Sequence, residues 1–203
     1  MVRTTRFAAA LSCCFVLGIG SSSFAGVLAS APGALPGWQG TVSFDNGLGL
    51  EGDLDFAVFT AANFNTNFAG MGYVPGDSVV YTYQLINSSD PGTDNLSAQI
   101  VGIINAANTI GTFDIGDVNA SSSSFVGLNA QWLFNPEIGL GETSWGLAFS
   151  SPNVPMSGAG LTVDGGASVF LLDIPTPSDI PIPEPTSLAL LVVAGMMVWL
   201  RRR

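Results

Sequence analysis

Every basic residue of the chain lies at one of its two ends. The five basic residues are Arg3, Arg6, Arg201, Arg202 and Arg203. The fifteen acidic residues all lie between these ends, from position 45 to position 184. The pattern divides the chain into two short basic ends and a purely acidic body, whereas a cytosolic domain usually mixes both signs on its surface. A body without cations excludes binding to the phosphate backbone of nucleic acids, which needs clustered Lys and Arg.

The composition also limits the chemistry that the chain can perform. It contains no His and no Lys, which excludes a Ser–His–Asp triad, an imidazole metal site and a Schiff-base lysine. Apolar residues make up 47% of the chain, so there is enough apolar material for a folded core. A length of 203 residues fits one domain with targeting segments.

The N-terminal end has the three parts of a secretory signal peptide. Arg3 and Arg6 precede an apolar run at residues 7–19, and Ser23 and Ala25 form a small-x-small site. This order predicts export, with cleavage by signal peptidase after Ala25. A short buried helix is the alternative structural interpretation of the same run.

Two other processing routes use residues of the same region. Cleavage after Ala31 would place Pro32 first, which disfavours it. A lipoprotein would use Cys13 or Cys14 as the acylated residue, but the apolar stretch before them is short. After cleavage at Ala25 the remaining chain has no Cys, so export does not imply disulfide bonds here.

The C-terminal end predicts a short membrane helix. Residues 186–200 are almost entirely apolar and are closed by Arg201, Arg202 and Arg203. A helix of that length covers roughly 22 Å, which is less than the ~30 Å hydrocarbon core. The flanking prolines and arginines, with Trp199 at interface depth, still favour insertion, because Arg can snorkel and the bilayer can thin. The positive-inside rule then places the arginines in the cytoplasm and the body outside.

The same end resembles a known sorting signal. Pro183, Glu184 and Pro185, then the apolar helix, then the arginine cluster closely resemble the PEP-CTERM signal of Gram-negative bacteria. The resemblance is confined to residues 183–203. It implies export, transient retention in the inner membrane and processing near Pro183–Glu184–Pro185 by an exosortase-type enzyme. Family members are typically surface or extracellular-matrix proteins of bacteria that make exopolysaccharide, and the signal says nothing about the domain that carries it.

The body, residues 26–174, predicts an all-β fold. Turn-forming residues interrupt it at short intervals and no window sustains a helical period. Asp45, Asn46 and Gly47 form a turn signal, and residues 57–68 are compatible with a helical turn. Eight or nine short strands predict a β-sandwich, Ig-like or jelly-roll-like. The candidate strands are residues 42–44, 54–59, 78–87, 97–104 as the expected hairpin partner of 78–87, 109–113, 130–134, 145–149, 161–163 and 168–172.

Prolines alternate through the segment that follows the body. Residues 175–182 therefore predict an extended, polyproline-like spacer between the domain and the membrane. A terminal strand with a flexible end is the alternative.

Acidic clusters offer the only candidate metal ligands. Glu51, Asp53 and Asp55 would lie on one face of an extended strand, and calcium prefers such oxygen ligands. Residues 114–119 form a second cluster. Its resemblance to an EF-hand start fails, because Ser122 and Leu128 stand where that loop needs Gly and Glu.

Two binding or catalytic functions remain as alternatives. A small glycosidase would need a carboxylate pair, either among Glu51, Asp53 and Asp55 or from Glu137 and Glu142; nothing basic is present to lower a pKa, so we expect no enzyme activity. A carbohydrate-binding module would use exposed rings, although aromatic residues at strand spacing usually pack inside. The candidate rings are Trp38, Phe64, Phe68, Tyr73, Trp132 and Trp145.

The sequence thus predicts four segments. They are a signal peptide (1–25), a β-sandwich body (26–174), a proline-rich linker (175–182) and a sorting and anchor segment (183–203). We expect a non-catalytic structural or adhesive protein of the cell surface or extracellular matrix, without a required cofactor. Its expected partners are signal peptidase, an exosortase-type enzyme, the inner membrane in transit and exopolysaccharide, and not nucleic acid.

Overall fold

The computed structural model describes residues 26–103 and 106–181. The predicted signal peptide and sorting segment lie outside these residues. The elements in chain order are β1 (Ala34–Asp45), β2 (Glu51–Thr60), α1 (Ala61–Phe68), β3 (Val79–Asn87), β4 (Leu96–Gly102), β5 (Asn108–Phe113), β6 (Ser122–Val126), β7 (Asn129–Ile138), β8 (Gly146–Ser151), β9 (Asn153–Val163) and β10 (Ser168–Pro181).

The ten strands form two five-stranded antiparallel sheets, which confirms the all-β prediction. Sheet A has the strand order β1-β2-β3-β8-β5, and sheet B has the order β10-β9-β4-β7-β6. The chain crosses between the sheets at five connections: β3 to β4, β4 to β5, β5 to β6, β7 to β8 and β8 to β9. Each sheet therefore combines consecutive strands with strands that are distant in the sequence.

Aromatic rings from both sheets meet between them. The Tyr81 ring stacks on Phe149 in sheet A, with centroids 5.0 Å apart. Trp132 of β7 reaches across from sheet B and lies 6.4 Å from the Phe149 centroid. Strand alternation explains the placement, because buried Ala130, Trp132 and Phe134 alternate with more exposed residues along β7. The two sheets thus share one core, as in a β-sandwich.

Strand β3 is buried on both of its faces. Tyr81 and Tyr83 point into the shared core, whereas Val80 packs in a second apolar cluster on the opposite side of sheet A. We call that side the outer face of sheet A. Helix α1 covers part of it with Phe64 and Phe68, which are buried. Continuous burial on both faces explains why β3 is a nearly unbroken run of β-branched and aromatic residues.

Helix α1 follows directly from β2. The Thr60 side chain accepts a hydrogen bond from the Asn63 backbone N–H at 3.2 Å, which caps the helix. The helix ends at Phe68. The helical turn predicted within residues 57–68 is therefore present at Ala61–Phe68, while residues 57–60 belong to β2.

The segment 26–33 covers another part of the outer face. Leu28 is fully buried and Ala31 nearly so. The Asn63 side chain donates to the Gly33 carbonyl at 2.8 Å, and Asn67 donates to the Pro32 carbonyl at 2.6 Å. Side-chain amides of α1 therefore hold this segment against the sheet through its backbone.

The predicted turn after β1 is present. Asn46 Oδ1 accepts from the backbone N–H of Leu48 and of Leu50, at 2.8 and 3.0 Å. Gly47 has φ 67°, which glycine adopts without steric cost. This loop joins β1 and β2 as an antiparallel hairpin.

Two strand predictions were wrong. Strand β3 pairs with β2 and β8, and the expected hairpin partner, β4, lies in the other sheet between β7 and β9. The polar loop 88–95 carries the chain across the sandwich, which proximity in sequence does not reveal. No candidate strand was predicted at residues 122–126, but Ser122–Val126 form β6 at the edge of sheet B. An edge strand with one solvated face tolerates such serines.

The prediction of a proline-rich spacer at residues 175–182 was also wrong for residues 175–181, which the structure describes. Strand β10 continues to Pro181, and Pro175 and Pro177 pair with residues of β9. Because β10 is the edge of sheet B, the missing N–H groups of its prolines cost no hydrogen bond to a further strand. The Asn153 side chain also donates to the Ser178 carbonyl at 2.6 Å. The folded body therefore extends to residue 181 rather than 174.

Candidate functional site

The three acids predicted as calcium ligands do share one face of β2. Glu51 lies opposite Asp45 of β1, Asp53 opposite Ser43 and Asp55 opposite Thr41. All three therefore point to the outer face of sheet A, as strand alternation requires. Their surroundings differ along the strand, because Asp55 is completely buried while Glu51 and Asp53 are partly exposed.

The Asp55 carboxylate is held by hydrogen bonds from two directions. Thr41 Oγ1 donates to Asp55 Oδ1 at 2.6 Å, and the Ala29 backbone N–H donates to Oδ2 at 3.3 Å. The Gly26 backbone N–H also favours the charged form of this carboxylate and so lowers its pKa. Burial raises the pKa of Asp55 above its ordinary value, and these hydrogen bonds partly oppose the rise. A buried carboxylate with no cation nearby is costly, since residues 7–200 contain no basic side chain.

Gln84 lies beside Asp55 on the neighbouring strand. The two residues are register partners in the β2–β3 ladder, and the Gln84 side chain is 2% exposed. Its Nε2 donates to the carbonyls of Ile115 and Ser144 at 3.2 and 3.0 Å. Its Oε1 is buried and accepts no hydrogen bond within residues 26–103 and 106–181. An unsatisfied buried acceptor of this kind needs a physical explanation.

Gly26 completes this small polar site. A Cβ atom on Gly26 would lie 2.7 Å from Asp55 Oδ2 and 3.0 Å from Gln84 Oε1. A Cβ atom at the first distance would force the Asp55 carboxylate to shift, so the backbone approaches these two oxygens closely because residue 26 is glycine. Asp55, Gln84 and the Gly26 backbone therefore form one cluster, which we call the Gly26 pocket.

Glu51 belongs to a different, more exposed acidic group. Burial, followed by repulsion from Asp90, Asp45 and Asp53, raises the pKa of Glu51. The Asp53 carboxylate accepts from Ser43 Oγ at 2.6 Å. Within the part of the chain that the structure describes, no group of three or more acidic, His or Cys side chains is arranged to hold a metal ion. Calcium binding by Glu51, Asp53 and Asp55 stays a prediction.

The other candidate carboxylates take part in local structure. Glu137 and Glu142 are both exposed, and Glu142 Oε2 accepts from the Gly139 backbone N–H at 2.8 Å. In the second acidic cluster, Asp117 Oδ2 accepts from the backbone N–H and the hydroxyl of Thr143 at 2.9 and 3.0 Å. These hydrogen bonds fasten the loops beside β7 and β8.

The candidate sugar-binding rings lie mostly inside the protein. Trp132 and Phe64 are fully buried, and Phe68 and Tyr73 are at most 8% exposed. Trp38 and Trp145 are partly exposed. The expectation that most of these rings pack in the core is confirmed for four of the six.

The predicted processing residues lie outside the described residues. They are Ala25, Pro183, Glu184, Pro185, Arg201, Arg202 and Arg203. Within residues 26–103 and 106–181, no helix has the length and apolar character needed to cross a bilayer.

Sequence reasoning missed the Gly26 pocket. One signal was available, because Gln84 is a polar residue between Tyr83 and Leu85 in β3. The close approach of Gly26 depends on how segment 26–33 folds back over sheet A, and no local pattern reports that.

Comparisons with protein-family models, curated proteins and solved structures each returned no match.

Proposed function

We propose that the chain is an exported, non-catalytic β-sandwich protein of the bacterial surface or extracellular matrix. The observation that carries the proposal is the charge distribution, in which apolar runs flanked by arginines enclose a body without basic residues. Such ends are typical of a signal peptide and a C-terminal membrane-sorting segment. Signal peptidase and an exosortase-type enzyme would process them, with the inner membrane as an intermediate location.

The packing of segment 26–33 supports cleavage after Ala25 rather than Ala31. Leu28 is fully buried in the cluster on the outer face, and Ala31 is 7% exposed. Cleavage after Ala31 would remove both and uncover apolar surface around Phe59. Cleavage after Ala25 keeps the whole covering segment.

The body has the properties of a soluble matrix component. Of the fifteen acids, only Glu184 belongs to the predicted sorting segment, so fourteen remain in the body. Their mutual repulsion keeps separate molecules apart unless divalent cations or a glycan bridge them. The frequent crossing of the chain between the sheets favours the jelly-roll-like arrangement over the Ig-like one.

The sorting function can be tested in a bacterium that has an exosortase-type enzyme. Replacement of Pro183, Glu184 and Pro185 by alanine should leave the protein in the inner-membrane fraction with its tail uncut. Pro181→Ala is the matched control, because Pro181 is exposed and lies just before the motif. The control should be processed and released like the native chain. Release of the triple variant with the native C-terminus would overturn the proposal.

Carbohydrate binding is the second candidate, favoured by the partial exposure of two rings, Trp38 and Trp145. Rings of this kind stack on sugars. Exopolysaccharide retention on an affinity gel should then be lost in Trp38→Ala or Trp145→Ala. Equal retention of both variants would remove this candidate.

A further inference from the structure

We propose that the α-ammonium group created by cleavage after Ala25 binds in the Gly26 pocket, pairs with the Asp55 carboxylate and donates to Gln84 Oε1. Maturation would then supply the cation that the acidic body lacks and lock segment 26–33 onto sheet A. The inference rests on the proposed function, because it takes the signal peptidase site as its starting point.

The position of the Gly26 nitrogen is the first argument. The Gly26 backbone lies against both oxygens, since a Cβ atom on Gly26 would be 2.7 Å from Asp55 Oδ2 and 3.0 Å from Gln84 Oε1. Cleavage turns that amide into an ammonium group with three N–H donors at the same place. One donor can hydrogen-bond to the Asp55 carboxylate, and that bond is charge-assisted.

The unsatisfied oxygen is the second argument. Gln84 Oε1 is buried without a hydrogen bond in the described part of the chain, and it faces Gly26. The remaining N–H groups of the ammonium can satisfy it. The backbone amide of an uncleaved chain has a single N–H, which cannot serve both Asp55 and Gln84.

The charge of the body is the third argument. Asp55 is completely buried, and no Lys, Arg or His lies between positions 7 and 200. A buried carboxylate is stable only when it is paired or strongly hydrogen-bonded. The mature N-terminus is the one basic group that processing at Ala25 would place inside this region.

The other groups around the pocket leave the pairing unopposed. Asp53 is the second titratable group whose charge acts on Asp55, and it favours a cation as well. Strand β1 contributes Thr41 and strand β3 contributes Gln84, and neither side chain titrates. The pair should therefore be strongest where the amine is protonated, and it should be lost in alkaline solution.

The absence of Lys gives a specific probe, since the α-amine is the only primary amine of the chain. The chain 26–203 can be produced with an N-terminal fusion partner and purified in detergent. Proteolytic removal of the partner then leaves Gly26 as the first residue. An amine-acylating reagent is then applied to the native protein and to the protein in urea, and the mass gain is followed against pH. We expect acylation of the native protein to be at least about tenfold slower at pH 8, with an amine pKa near or above about 9 rather than the usual ~8.

The matched control is the chain 25–203, whose amine is displaced by one residue. Its amine should react equally fast in the native and unfolded states, and its Tm at pH 7 should be lower by roughly 5 °C or more. That difference should vanish above about pH 10, where the amine is neutral. Asp55→Asn in the chain 26–203 should also restore fast acylation.

Equal acylation rates for native and unfolded 26–203, with an ordinary amine pKa, would overturn the inference. Because both chains are made with defined ends, this result leaves export and sorting untouched. Conversely, a different cleavage site in the secreted protein would refute the processing proposal while the acylation result still stood.

Discussion

Tyr83 of sheet A and Trp132 of sheet B lie with their ring centroids 6.2 Å apart, across the interior of the sandwich. Tyr83 donates its hydroxyl hydrogen to the Pro175 carbonyl of β10, and Trp132 Nε1 donates to the Gly111 carbonyl of β5 at 3.0 Å. Each ring therefore extends from its own sheet into the shared core and donates a hydrogen bond to the backbone of the opposite sheet. These contacts join the two sheets.

Trp132→Ala should be among the most destabilising single changes. Trp132 is fully buried, so the change removes its packing against Tyr83 and Phe149 and leaves a cavity. We expect a loss of about 3–5 kcal/mol in the free energy of unfolding, measured by urea denaturation. The matched control, Trp38→Ala, concerns a partly exposed ring and should cost clearly less. A larger loss for Trp38→Ala would contradict this account of the core.

Thr41→Val tests the hydrogen bond to the buried Asp55 carboxylate. Valine keeps the shape of the side chain but removes the 2.6 Å donor, so the free energy of unfolding should fall by about 1–3 kcal/mol. Ser43→Ala removes a hydrogen bond of the same length to the partly exposed Asp53. Because water can replace that bond, its cost should stay within about 0.5 kcal/mol. Equal losses in the free energy of unfolding for the two variants would show that burial of Asp55 does not strengthen its hydrogen bond.

Asp55 should make stability depend on pH in a chain that keeps residues before Gly26. Burial raises its folded-state pKa above the ordinary 3.8. The folded state then binds the Asp55 proton more tightly than the unfolded state does. The protonated carboxyl therefore adds its full contribution to the free energy of unfolding below pH 3.8, and this contribution is lost as the pH rises through the folded-state pKa. Other carboxylates also titrate in this range, so Asp55→Asn serves as the reference.

The expected result is that the stability of this uncleaved chain, relative to the same chain with Asp55→Asn, decreases between pH 3 and pH 7. Urea midpoints of both proteins over about pH 3–7 measure it. A constant difference would show that the pKa of Asp55 is unchanged by folding. An increasing difference would show that hydrogen bonds outweigh burial at this site.

Calcium should raise the melting temperature if the acids of β2 and its neighbours bind it. Repulsion from Asp90, Asp45 and Asp53 contributes to the raised pKa of Glu51. A divalent cation bound among these carboxylates would relieve the repulsion. We expect a Tm increase in millimolar calcium that EDTA reverses and that Glu51→Gln reduces. Glu137→Gln is the control, since Glu137 is exposed on β7. An identical Tm in calcium and EDTA would remove the prediction.

The sequence predicted the fold class because short strands with frequent turn residues leave few alternatives to a two-sheet protein. It predicted β3 well, since β-branched and aromatic residues fill that strand on both faces. It failed for β6 and for the continuation of β10 to Pro181, because serines and prolines at sheet edges resemble loop residues. The polar loop 88–95 carries β4 away from its expected hairpin partner, and strand pairing at that distance is decided by the tertiary fold.

The candidate site was predicted only in part. The shared direction of Glu51, Asp53 and Asp55 follows from strand alternation, and the structure confirms it. The burial of Asp55 does not follow, because it depends on segment 26–33 folding back over the sheet. No local pattern in residues 26–33 indicates that they cover a carboxylate.

The intact mass of the protein recovered from outside the cell tests the central claim most directly. The account predicts a chain that begins at Gly26 and ends near Pro183–Glu184–Pro185, without residues 1–25 and without the arginine cluster. A protein recovered from the cytosol with the mass of all 203 residues would contradict it.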